Sequence, residues 1–538
     1  MKTINFKFKA LCLFAAICLI ILSGCSSPKG EDEEMGTVTI RVGSVTVQNR
    51  STLGYPPDGY LGNASLSDLE YTVKLSNTEY TYSKTTDQSN TTDTLSLSVP
   101  IGTYNILVEA YEIVSGDFYA AGVLRGINVT TGSNGPFTVK MAEAGTVSIY
   151  WSAEYDYDSQ PLIGAVLSIN DGALQGGPFT YQWQKLNAFS TFDPIPGATS
   201  LTYTVQFADK SETIRVVATP SVGTPFYSDA GSHPPVIASH WIPINSEAEL
   251  RKISATDPDY TLSESYLLMK NITLTSPWTP IGNFTNKFEG FLNGNFKTIS
   301  GLSINNPGAD YQGLVGYLDL PGQIQNIGIV DGNVIGQDYV GALVGYKAAG
   351  WVFNCYSTAS VKGENAVGGL VGSNFGSVED CYSTGSVTSE NLGSNTGGIV
   401  GSNDGSVKNC YSTGVMLMID GDYVGGIVGF NGSSGTIEKC VALNPTITLE
   451  GIGIGIGRVG YDSASGLQDN YARDDMTLMQ GGSSYTPTPG PLSIDGEDVA
   501  ATGPFGYNGN SFYSSMLGWD FYSTWQMGTN SLPALCGF

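Results

Sequence analysis

A short glycine-flanked phrase that returns at nearly constant intervals constrains this chain more than any other feature. It first appears as Gly313-Leu314-Val315-Gly316 and decays at Arg458-Val459-Gly460. Its closing glycines, 29, 27, 29, 28 and 31 residues apart, are Gly316, Gly345, Gly372, Gly401, Gly429 and Gly460. A second phrase keeps step with it as Asn354-Cys355-Tyr356, Asp380-Cys381-Tyr382, Asn409-Cys410-Tyr411, Lys439-Cys440-Val441 and Asp469-Asn470-Tyr471. Two phrases in phase over five periods define a repeat array.

The period and the glycines select one repeat architecture. Several glycines per phrase, each costing about 1 kcal/mol relative to alanine, exclude helical repeats. The leucine-rich pattern with its asparagine ladder is absent, and a propeller blade needs a longer repeat. A parallel β-helix remains, with one coil per repeat and about three short strands per coil. The residues predicted to point inward from one coil are Val367, Leu370, Val371, Val378, Cys381 and Val387.

Equivalent side chains of successive coils form columns, and neighbours within a column lie about 4.8 Å apart. One predicted column contains Cys355, Cys381, Cys410 and Cys440, flanked by Asn326 and Asn470. A metal site or disulfides would require converging thiols, so an inward ladder of small apolar thiols is favoured. A second column contains Tyr356, Tyr382, Tyr411 and Tyr471 and is expected to face outward. Its rings could bind sugars, but stacking on one another for stability is favoured.

The N-terminus has the features of a bacterial lipoprotein signal. Lysines precede an apolar run, and Leu22-Ser23-Gly24-Cys25 resembles a lipobox. We therefore predict a signal peptide at 1–24, lipidation at Cys25 and an acidic tether at 25–35, the alternative being an uncleaved N-terminal anchor. The acyl chains would hold the protein in the membrane.

Alternating apolar and polar residues predict two β-sandwich modules before the repeats. The module at 36–143 resembles transthyretin-like or fibronectin-like domains. The module at 144–236 resembles immunoglobulin-like domains with Trp183 as the core tryptophan. It departs from antibody-type domains because it lacks their cysteines and has Ile214 where the corner tyrosine would stand. A stiff linker follows at 231–243, where His233 and His240 are expected to face solvent rather than bind metal.

The segment from 241 to 538 resembles GLUG-motif proteins, whose repeat is named for the glycine-flanked aliphatic pair. The resemblance includes the closing residues Leu517-Gly518-Trp519-Asp520-Phe521. Together with the two modules before it, this segment predicts an all-β chain: two small sandwiches, then a capped parallel β-helix with coils at about 311–471. The capping box at Ser246 predicts a short helix at one end of the stack, and 472–538 is expected to cap the other.

Parallel β-helices include polysaccharide lyases and hydrolases, so we searched for catalytic groups. The acidic residues are spread one or two per coil without a distinctive pair: Asp331, Asp338, Glu364, Glu379, Asp380, Asp404, Asp420 and Asp422. The lysines are equally scattered: Lys347, Lys362, Lys408 and Lys439. The zinc signature of the secreted peptidases that carry GLUG repeats is missing, and the glycine-rich run 451–457 is predicted to be a tight β-coil rather than a phosphate loop. We therefore expect no enzyme activity, cofactor or metal.

These features together predict a lipid-anchored protein of the bacterial cell envelope, on the outer membrane and cell surface. A net charge of −25 disfavours binding to nucleic acid. The expected role is adhesion or surface recognition, with glycans or host and cell-surface proteins as partners besides the membrane. The alternatives are a polysaccharide-acting β-helix enzyme and a purely structural surface-layer component.

Overall fold

The structure is a computed structural model of the 538-residue chain. It describes residues 35–41, 69–85, 94–112, 118–139, 142–143, 147–152, 156–174, 177–229, 236–391, 394–451, 453–462, 466–503, 505–529 and 531–538. The predicted signal peptide, Cys25 and most of the acidic tether lie outside these residues. The chain divides into two compact units, 1–159 with 166–204 and 213–237, and 160–165 with 205–212 and 238–538.

The first unit consists of two β-modules, as the alternating patterns predict. In the first module a three-stranded sheet is formed by Thr94–Pro100, Met35–Arg41 and Gly132–Thr138. Its five-stranded partner sheet contains Thr81–Thr85, Leu69–Ser76, Gly102–Glu112, Phe118–Val129 and Ala142–Glu143. Alternate residues of these strands, among them Val38, Ile40, Val73 and Leu75, form a closed apolar core.

The second module is built around Trp183. Its three-stranded sheet contains Thr202–Thr204, Val166–Asn170 and Ser148–Tyr150. Its five-stranded sheet contains Phe192–Pro194, Phe179–Leu186, Thr213–Pro220, Phe226–Tyr227 and Val236–Ile237. The short strand Asp156–Tyr157 also lies in this unit. Trp183 is fully buried, and its indole N–H donates to the carbonyl of Ser200 over 2.9 Å. The tryptophan is therefore a core residue, as predicted, and Ile214 is buried as well.

The second unit is a parallel β-solenoid of about eight turns, which confirms the predicted fold class. We call its four sheets back, side, corner and front. The back sheet contains Trp241–Ile244, Ser265–Leu268, Ile272–Thr273, Phe291–Ser300, Gln323–Val330, Trp351–Phe353, Tyr356–Ser357, Ser377–Glu379, Tyr382–Ser383, Ser406–Lys408, Tyr411–Ser412, Thr436–Glu438, Val441–Ala442, Leu467–Gln468, Tyr471–Arg473 and Glu497–Val499. The side sheet contains Ser303–Asn305, Asn333–Ile335, Ser360–Gly363, Val387–Ser389, Met416–Met418, Thr446–Leu449, Thr477–Gln480 and Ser483–Ser484.

The other two sheets meet at the glycine-flanked phrase. The corner sheet contains Asp338–Gly341, Asn365–Gly368, Asn395–Gly397, Tyr423–Gly425 and Gly455–Gly457. The front sheet contains Val315–Leu318, Val344–Lys347, Val371–Asn374, Val400–Asn403, Val428–Asn431 and Tyr461–Asp462. A central coil thus has five short strands instead of the predicted three. The back sheet bends within each coil, and the phrase joins two strands at its own corner.

Close packing of neighbouring coils explains the glycines of the phrase. A Cβ on Gly398 would lie 2.0 Å from the carbonyl oxygen of Gly426 and 2.3 Å from the Ser412 hydroxyl. The backbones of Gly398 and Gly426 could not move apart without breaking the hydrogen bonds between neighbouring coils. The aliphatic residues between the glycines, such as Ile399 and Val400, are fully buried. The six residues predicted to point inward from one coil are also fully buried.

Remaining elements of the second unit are short. They comprise the strand Gln160–Pro161, the 3₁₀ turn Phe207–Asp209, the α-helix Glu247–Leu250, the π-helical segment Phe512–Leu517 and the hairpin strands Trp525–Met527 and Pro533–Leu535. The α-helix is the one predicted at the capping box: the Ser246 hydroxyl accepts from the Glu249 N–H over 3.3 Å. Among the described residues no helix is both long and apolar enough to cross a membrane.

The ends of the stack differ from the prediction. Strands pair in parallel from Trp241–Ile244 to Glu497–Val499, well beyond the expected limits of 311 and 471, because stacking does not require the glycine phrase. Arg458, which replaces a glycine of the phrase, is buried at the far end. Its guanidinium donates to the backbone carbonyl oxygens of Arg473, Asp495 and Gly496. The rest of the expected cap, described at 505–529 and 531–538, packs against the back sheet instead of closing the end of the stack.

A left-handed residue precedes the cysteine position of each coil. Asn326, Asn354, Asp380, Asn409, Lys439 and Asp469 all have φ between 50° and 56°. Asparagine and aspartate tolerate this conformation better than other side chains, which agrees with the sequence at all positions but Lys439. Side chains of this column also hydrogen-bond to one another. The Asn409 amide donates to the Asp380 carboxylate, and the Asn354 amide donates to the side-chain oxygen of Asn326, each over 3.1 Å.

We expect Lys439→Asn to raise the free energy of unfolding by about 1 kcal/mol, because it relieves part of the cost of a left-handed lysine. Chemical denaturation of the full chain measures the change. Lys408→Asn is the matched control, since Lys408 faces the same Glu438 carboxylate but has no left-handed backbone. Equal stabilities of the two variants would contradict the strain argument.

Candidate functional site

The four cysteines of the repeat form a buried column. Cys355, Cys381, Cys410 and Cys440 are free thiols without solvent exposure. Each thiol contacts the carbonyl oxygen two residues earlier, as in Cys381 to Glu379 at 3.1 Å. Burial raises the pKa of the Cys381, Cys410 and Cys440 thiols well above the usual value, so these thiols stay protonated and unreactive at neutral pH. Within the described chain no group of three or more His, Cys, Asp or Glu residues is placed to hold a metal ion.

One of the two predicted flanking residues of the column, Asn326, is wrong, and the other, Asn470, is confirmed. The Asn354 amide pairs with Asn326, so Asn326 belongs to the left-handed column, and Ile327 stands at the cysteine position of that coil. Asn470 does occupy the cysteine position at the other end, where its side chain accepts from the Cys440 N–H over 2.9 Å. The offset arose because the asparagine of the first phrase was aligned with cysteine instead of with Asn354.

The predicted tyrosine column forms a stacked ladder that is covered by the C-terminal segment. Ring centroids of Tyr356 and Tyr382, and of Tyr382 and Tyr411, are 4.9 Å apart with nearly parallel planes. Val441 interrupts the column before Tyr471. Residues of 505–538 pack over it: the Tyr411 hydroxyl donates to the Pro533 carbonyl over 2.6 Å, and the Phe538 ring meets Tyr356 edge-on. The ladder is thus structural and is not open to a ligand.

A second set of aromatic side chains, absent from the sequence prediction, lies on the front and corner sheets, and all of them except the buried Tyr317 are at least partly exposed. We call Tyr311, Tyr317, Tyr339, Tyr346 and Phe375 the proximal patch. Tyr317 and Tyr346 stack at 4.8 Å, as do Tyr311 and Tyr339 at 5.3 Å, and the two pairs contact edge to face. Phe375 is 46% exposed and lies 5.6 Å from Tyr346. The signal in the sequence was the tyrosine that directly follows the closing glycine at 316 and 345.

Two rings of this patch are held on strained backbone. Tyr311 and Tyr339 have φ of 60° and 59°, a left-handed conformation that costs a non-glycine residue about 1–2 kcal/mol. Ala366 occupies the same corner in the next coil with a φ of 50°. The corner therefore does not require an aromatic side chain. The left-handed backbone is thus a property of the corner itself, and the two tyrosines are a separate feature of this surface.

Most of the predicted acidic candidates remain dispersed, but two of them lie at the edge of the proximal patch. Burial and the nearby carboxylates of Asp310 and Glu364 raise the pKa of Asp338. Glu364 accepts hydrogen bonds from the amides of Gln337 and Asn391 over 3.4 and 3.1 Å. On the back of the solenoid, Asp380 accepts from the Trp525 indole over 3.0 Å. The carboxylates beside the patch could hydrogen-bond to hydroxyl groups of a ligand.

The predicted lysines serve different structural purposes. Lys362 pairs with Glu390, and Lys408 and Lys439 both lie near Glu438. Lys347 is fully buried, donating to the Gly350 carbonyl over 2.8 Å and to Asn374 over 3.1 Å. It begins a ladder in which Asn374 donates to Asn403 and Asn403 to Asn431. An asparagine ladder is therefore present, although the leucine-rich repeat with which such ladders were associated is not.

His240 is exposed, as predicted, whereas His233 lies outside the described residues. The exposed imidazole borders a shallow cavity of about 120 Å³ lined by Trp241, Phe291, Leu292, Asn293, Gln323 and Gln325. The glycine-rich run leads into the strand Gly455–Gly457, which pairs with Tyr423–Gly425, so this part forms a β-coil as expected.

These observations define the second unit as a parallel β-solenoid, and two of its segments match a known repeat. The model of the GLUG motif matches residues 363–388 and 420–448, which lie in the central coils. Each matched segment contains both the glycine-flanked aliphatic pair and the left-handed residue that precedes the cysteine. The resemblance predicted from the sequence is therefore confirmed for these repeats.

Two curated proteins share sequence with part of the chain. Halomucin of Haloquadratum walsbyi is 37% identical over 140 residues, which is 24% of this chain and 2% of halomucin. A provisionally named Gly-rich membrane protein of Evansella cellulosilytica is 37% identical over 93 residues, 16% of this chain and 11% of that protein. The chain thus spans only a small part of either relative.

One solved structure is similar to the chain in fold. It is a provisionally assigned immunoglobulin A1 protease of Bacteroides ovatus, 21% identical, with a TM-score of 0.46. The match covers 55% of this chain and 91% of that one.

Proposed function

We propose that this chain is a lipid-anchored protein of the bacterial cell envelope whose solenoid binds to surfaces without catalysis. The observation that carries the proposal is the exposed proximal patch. Large aromatic side chains clustered on a regular surface are characteristic of recognition sites. The names of the two partial relatives, a halomucin and a membrane protein, favour a cell-surface location.

Membrane attachment would depend on Cys25. We expect Cys25→Ala to abolish incorporation of labelled fatty acid and to release the protein from membranes, because the lipobox would have no thiol to accept the lipid. Membrane fractionation and acyl labelling of cells that produce the full chain measure both effects. Cys536→Ala is the matched control because it removes a cysteine far from the signal. Unchanged membrane retention of Cys25→Ala would refute lipid anchoring.

Adhesion can be tested with the same cells. Cells that display the full chain should be retained on immobilised glycans or extracellular-matrix proteins, and the combined substitution Tyr339→Ala and Tyr346→Ser should reduce retention to the level of cells without the protein. These substitutions copy Ala366 and Ser373, which occupy the equivalent positions of the next coil, so the solenoid should still fold. Tyr522→Ser, at a side chain 99% exposed elsewhere, is the control. Equal retention by all variants would contradict recognition through the patch.

The carboxylates beside the patch support a second candidate, a polysaccharide-acting enzyme. A carboxyl group whose pKa is raised by burial and by other acids, as at Asp338, is a candidate general acid. Release of new reducing ends from a polysaccharide, lost in Asp338→Asn, would favour catalysis over adhesion. Binding without turnover would favour adhesion, and neither activity would favour a structural surface-layer role.

A further inference from the structure

The face that carries the proximal patch has a second aromatic group further along the solenoid. We call Tyr423, Phe430 and Tyr461 the distal patch. The Tyr423 ring lies 5.0 Å from Phe430 and 4.2 Å from Tyr461, with planes about 30° apart in both pairs. All three residues are partly exposed. They belong to the same corner and front sheets as the proximal patch.

Register places the two patches on the same columns. On the front sheet one column runs Tyr317, Tyr346, Ser373, Ser402, Phe430 and Tyr461. Between the patches the column therefore contains only serine. The corner column has the same pattern, with Tyr311 and Tyr339 at one end, Ala366 and Asn395 in the middle and Tyr423 at the other. A strip of small and polar residues thus separates two aromatic groups.

The spacing of the patches sets the size of a ligand that touches both. Tyr346 and Phe430 are three coils apart, which corresponds to about 14 Å at the usual strand spacing. A single sugar or amino acid is too small to bridge this distance. A ligand that contacts both patches must be extended and must run parallel to the solenoid axis.

Charges on this face favour an uncharged ligand. Asp310, Asp338 and Glu364 border the proximal patch. The Asp404 carboxylate is also close enough to contribute to the raised pKa of Tyr346. The nearby cation Lys287 is already paired with Asp319 at 2.7 Å. Anionic polymers would be repelled, whereas carboxylates are good acceptors for hydroxyl donors.

The covered tyrosine ladder is an example of aromatic side chains that stabilise this fold. There Tyr411 is buried, and Tyr356, Tyr382 and Tyr471 are partly buried against tryptophans and apolar residues of the C-terminal segment. Over the front face, by contrast, Phe284 and Phe375 are 63% and 46% exposed within the described structure. The front rings other than Tyr317 are therefore at least partly available for contact with a ligand.

We propose that the front face binds a linear, uncharged polysaccharide that lies along the solenoid axis. Its sugar rings pack against the exposed rings of the proximal and distal patches. Between the patches its hydroxyl groups reach the partly exposed Ser402 and Asn395, and they donate to the bordering carboxylates. The inference rests on the proposed surface-recognition function and names its ligand class. A flat apolar sugar face against an aromatic ring, surrounded by hydrogen-bond acceptors, satisfies both components of this surface.

Titration calorimetry with the full chain tests the proposal. The probes are fragments of cellulose, xylan, mannan and chitin with two and eight sugar units, and an oligogalacturonate of eight units as the acidic comparison. We expect at least one uncharged eight-unit fragment to bind ten-fold or more tightly than its two-unit counterpart, and the acidic fragment to bind more weakly. The length dependence follows from contact with both patches.

Variants of each patch separate axial binding from binding at one patch. Tyr346→Ser and Phe430→Ser should each remove the ten-fold advantage of the long fragment, while Tyr522→Ser should leave it unchanged. The serines copy Ser373 and Ser402 of the same column. Circular dichroism of each variant verifies that the solenoid remains folded.

Several outcomes would overturn the inference. They are the absence of binding to all four uncharged fragments, affinity independent of chain length, tighter binding of the acidic fragment, or binding unaffected by either patch variant. Failure here is distinguishable from failure of the proposed function. Cells retained on matrix proteins but not on glycans would preserve adhesion and point to a protein partner, whereas glycan binding without cell retention would preserve only the ligand class.

Discussion

Trp525→Ala should destabilise the second unit by about 3–5 kcal/mol, the usual cost of truncating a buried tryptophan. The side chain is fully buried, stacks on Trp519 at 4.7 Å and lies against both Tyr382 and Tyr411. Its indole also donates to Asp380 over 3.0 Å. Removal leaves a cavity beneath 505–538 and withdraws one donor from a carboxylate that burial already disfavours in its charged form.

Chemical denaturation and limited proteolysis measure this effect. The variant should unfold at lower denaturant concentration, and 505–538 should be cleaved first because it loses its anchor. Trp525→Phe keeps a ring but no N–H, so its smaller loss isolates the hydrogen bond. Tyr522→Ser, exposed in the same segment, should change stability by no more than about 0.5 kcal/mol. A Trp525→Ala variant as stable as that control would show that the segment is held by other contacts.

Stability should also depend on pH through Lys347, because burial lowers the pKa of this amine to about 7 from an ordinary value of 10.5. Between these values the unfolded chain holds a proton at Lys347 that the folded chain does not. The free energy of unfolding therefore rises with pH in this window, by up to about 1.4 kcal/mol per pH unit. Below pH 7 both states are protonated and above pH 10.5 neither is, so the contribution is constant outside the window.

Lys347→Met is the matched variant, since it fills similar space and cannot titrate. Denaturation of both proteins between about pH 7 and pH 9.5 is compared at each pH, so that the ionisation of tyrosines and cysteines, which the two proteins share, cancels. The stability of the lysine protein relative to the methionine variant should rise by up to about 3 kcal/mol across this range. Parallel pH profiles would indicate that the buried amine keeps its ordinary pKa. They would contradict the proposed cost of placing a charge at the start of the asparagine ladder.

Periodicity was sufficient to predict the solenoid and its interior. Glycine, leucine and valine recur at one position because neighbouring coils impose the same packing on each repeat. For that reason the inward positions, the cysteine column and the stacked tyrosines followed from the spacing alone. The error over Asn326 arose where the first repeat has isoleucine instead of cysteine, so the phrase no longer marked its own register. The ends of the stack were also missed, since parallel strands continue without the phrase.

The sequence by itself determined the fold, because repeated local geometry is encoded in every period. Only the tertiary structure decided which aromatic column is open. The C-terminal segment from 505 lies over Tyr356, Tyr382 and Tyr411, although it is more than ninety residues away in the chain, and its described ring contacts are on that side of the solenoid. Such long-range packing depends on the shapes of both surfaces and has no periodic signal. The accessible aromatic surface is consequently not the column beside the cysteines but the one that includes Tyr346, which follows a closing glycine.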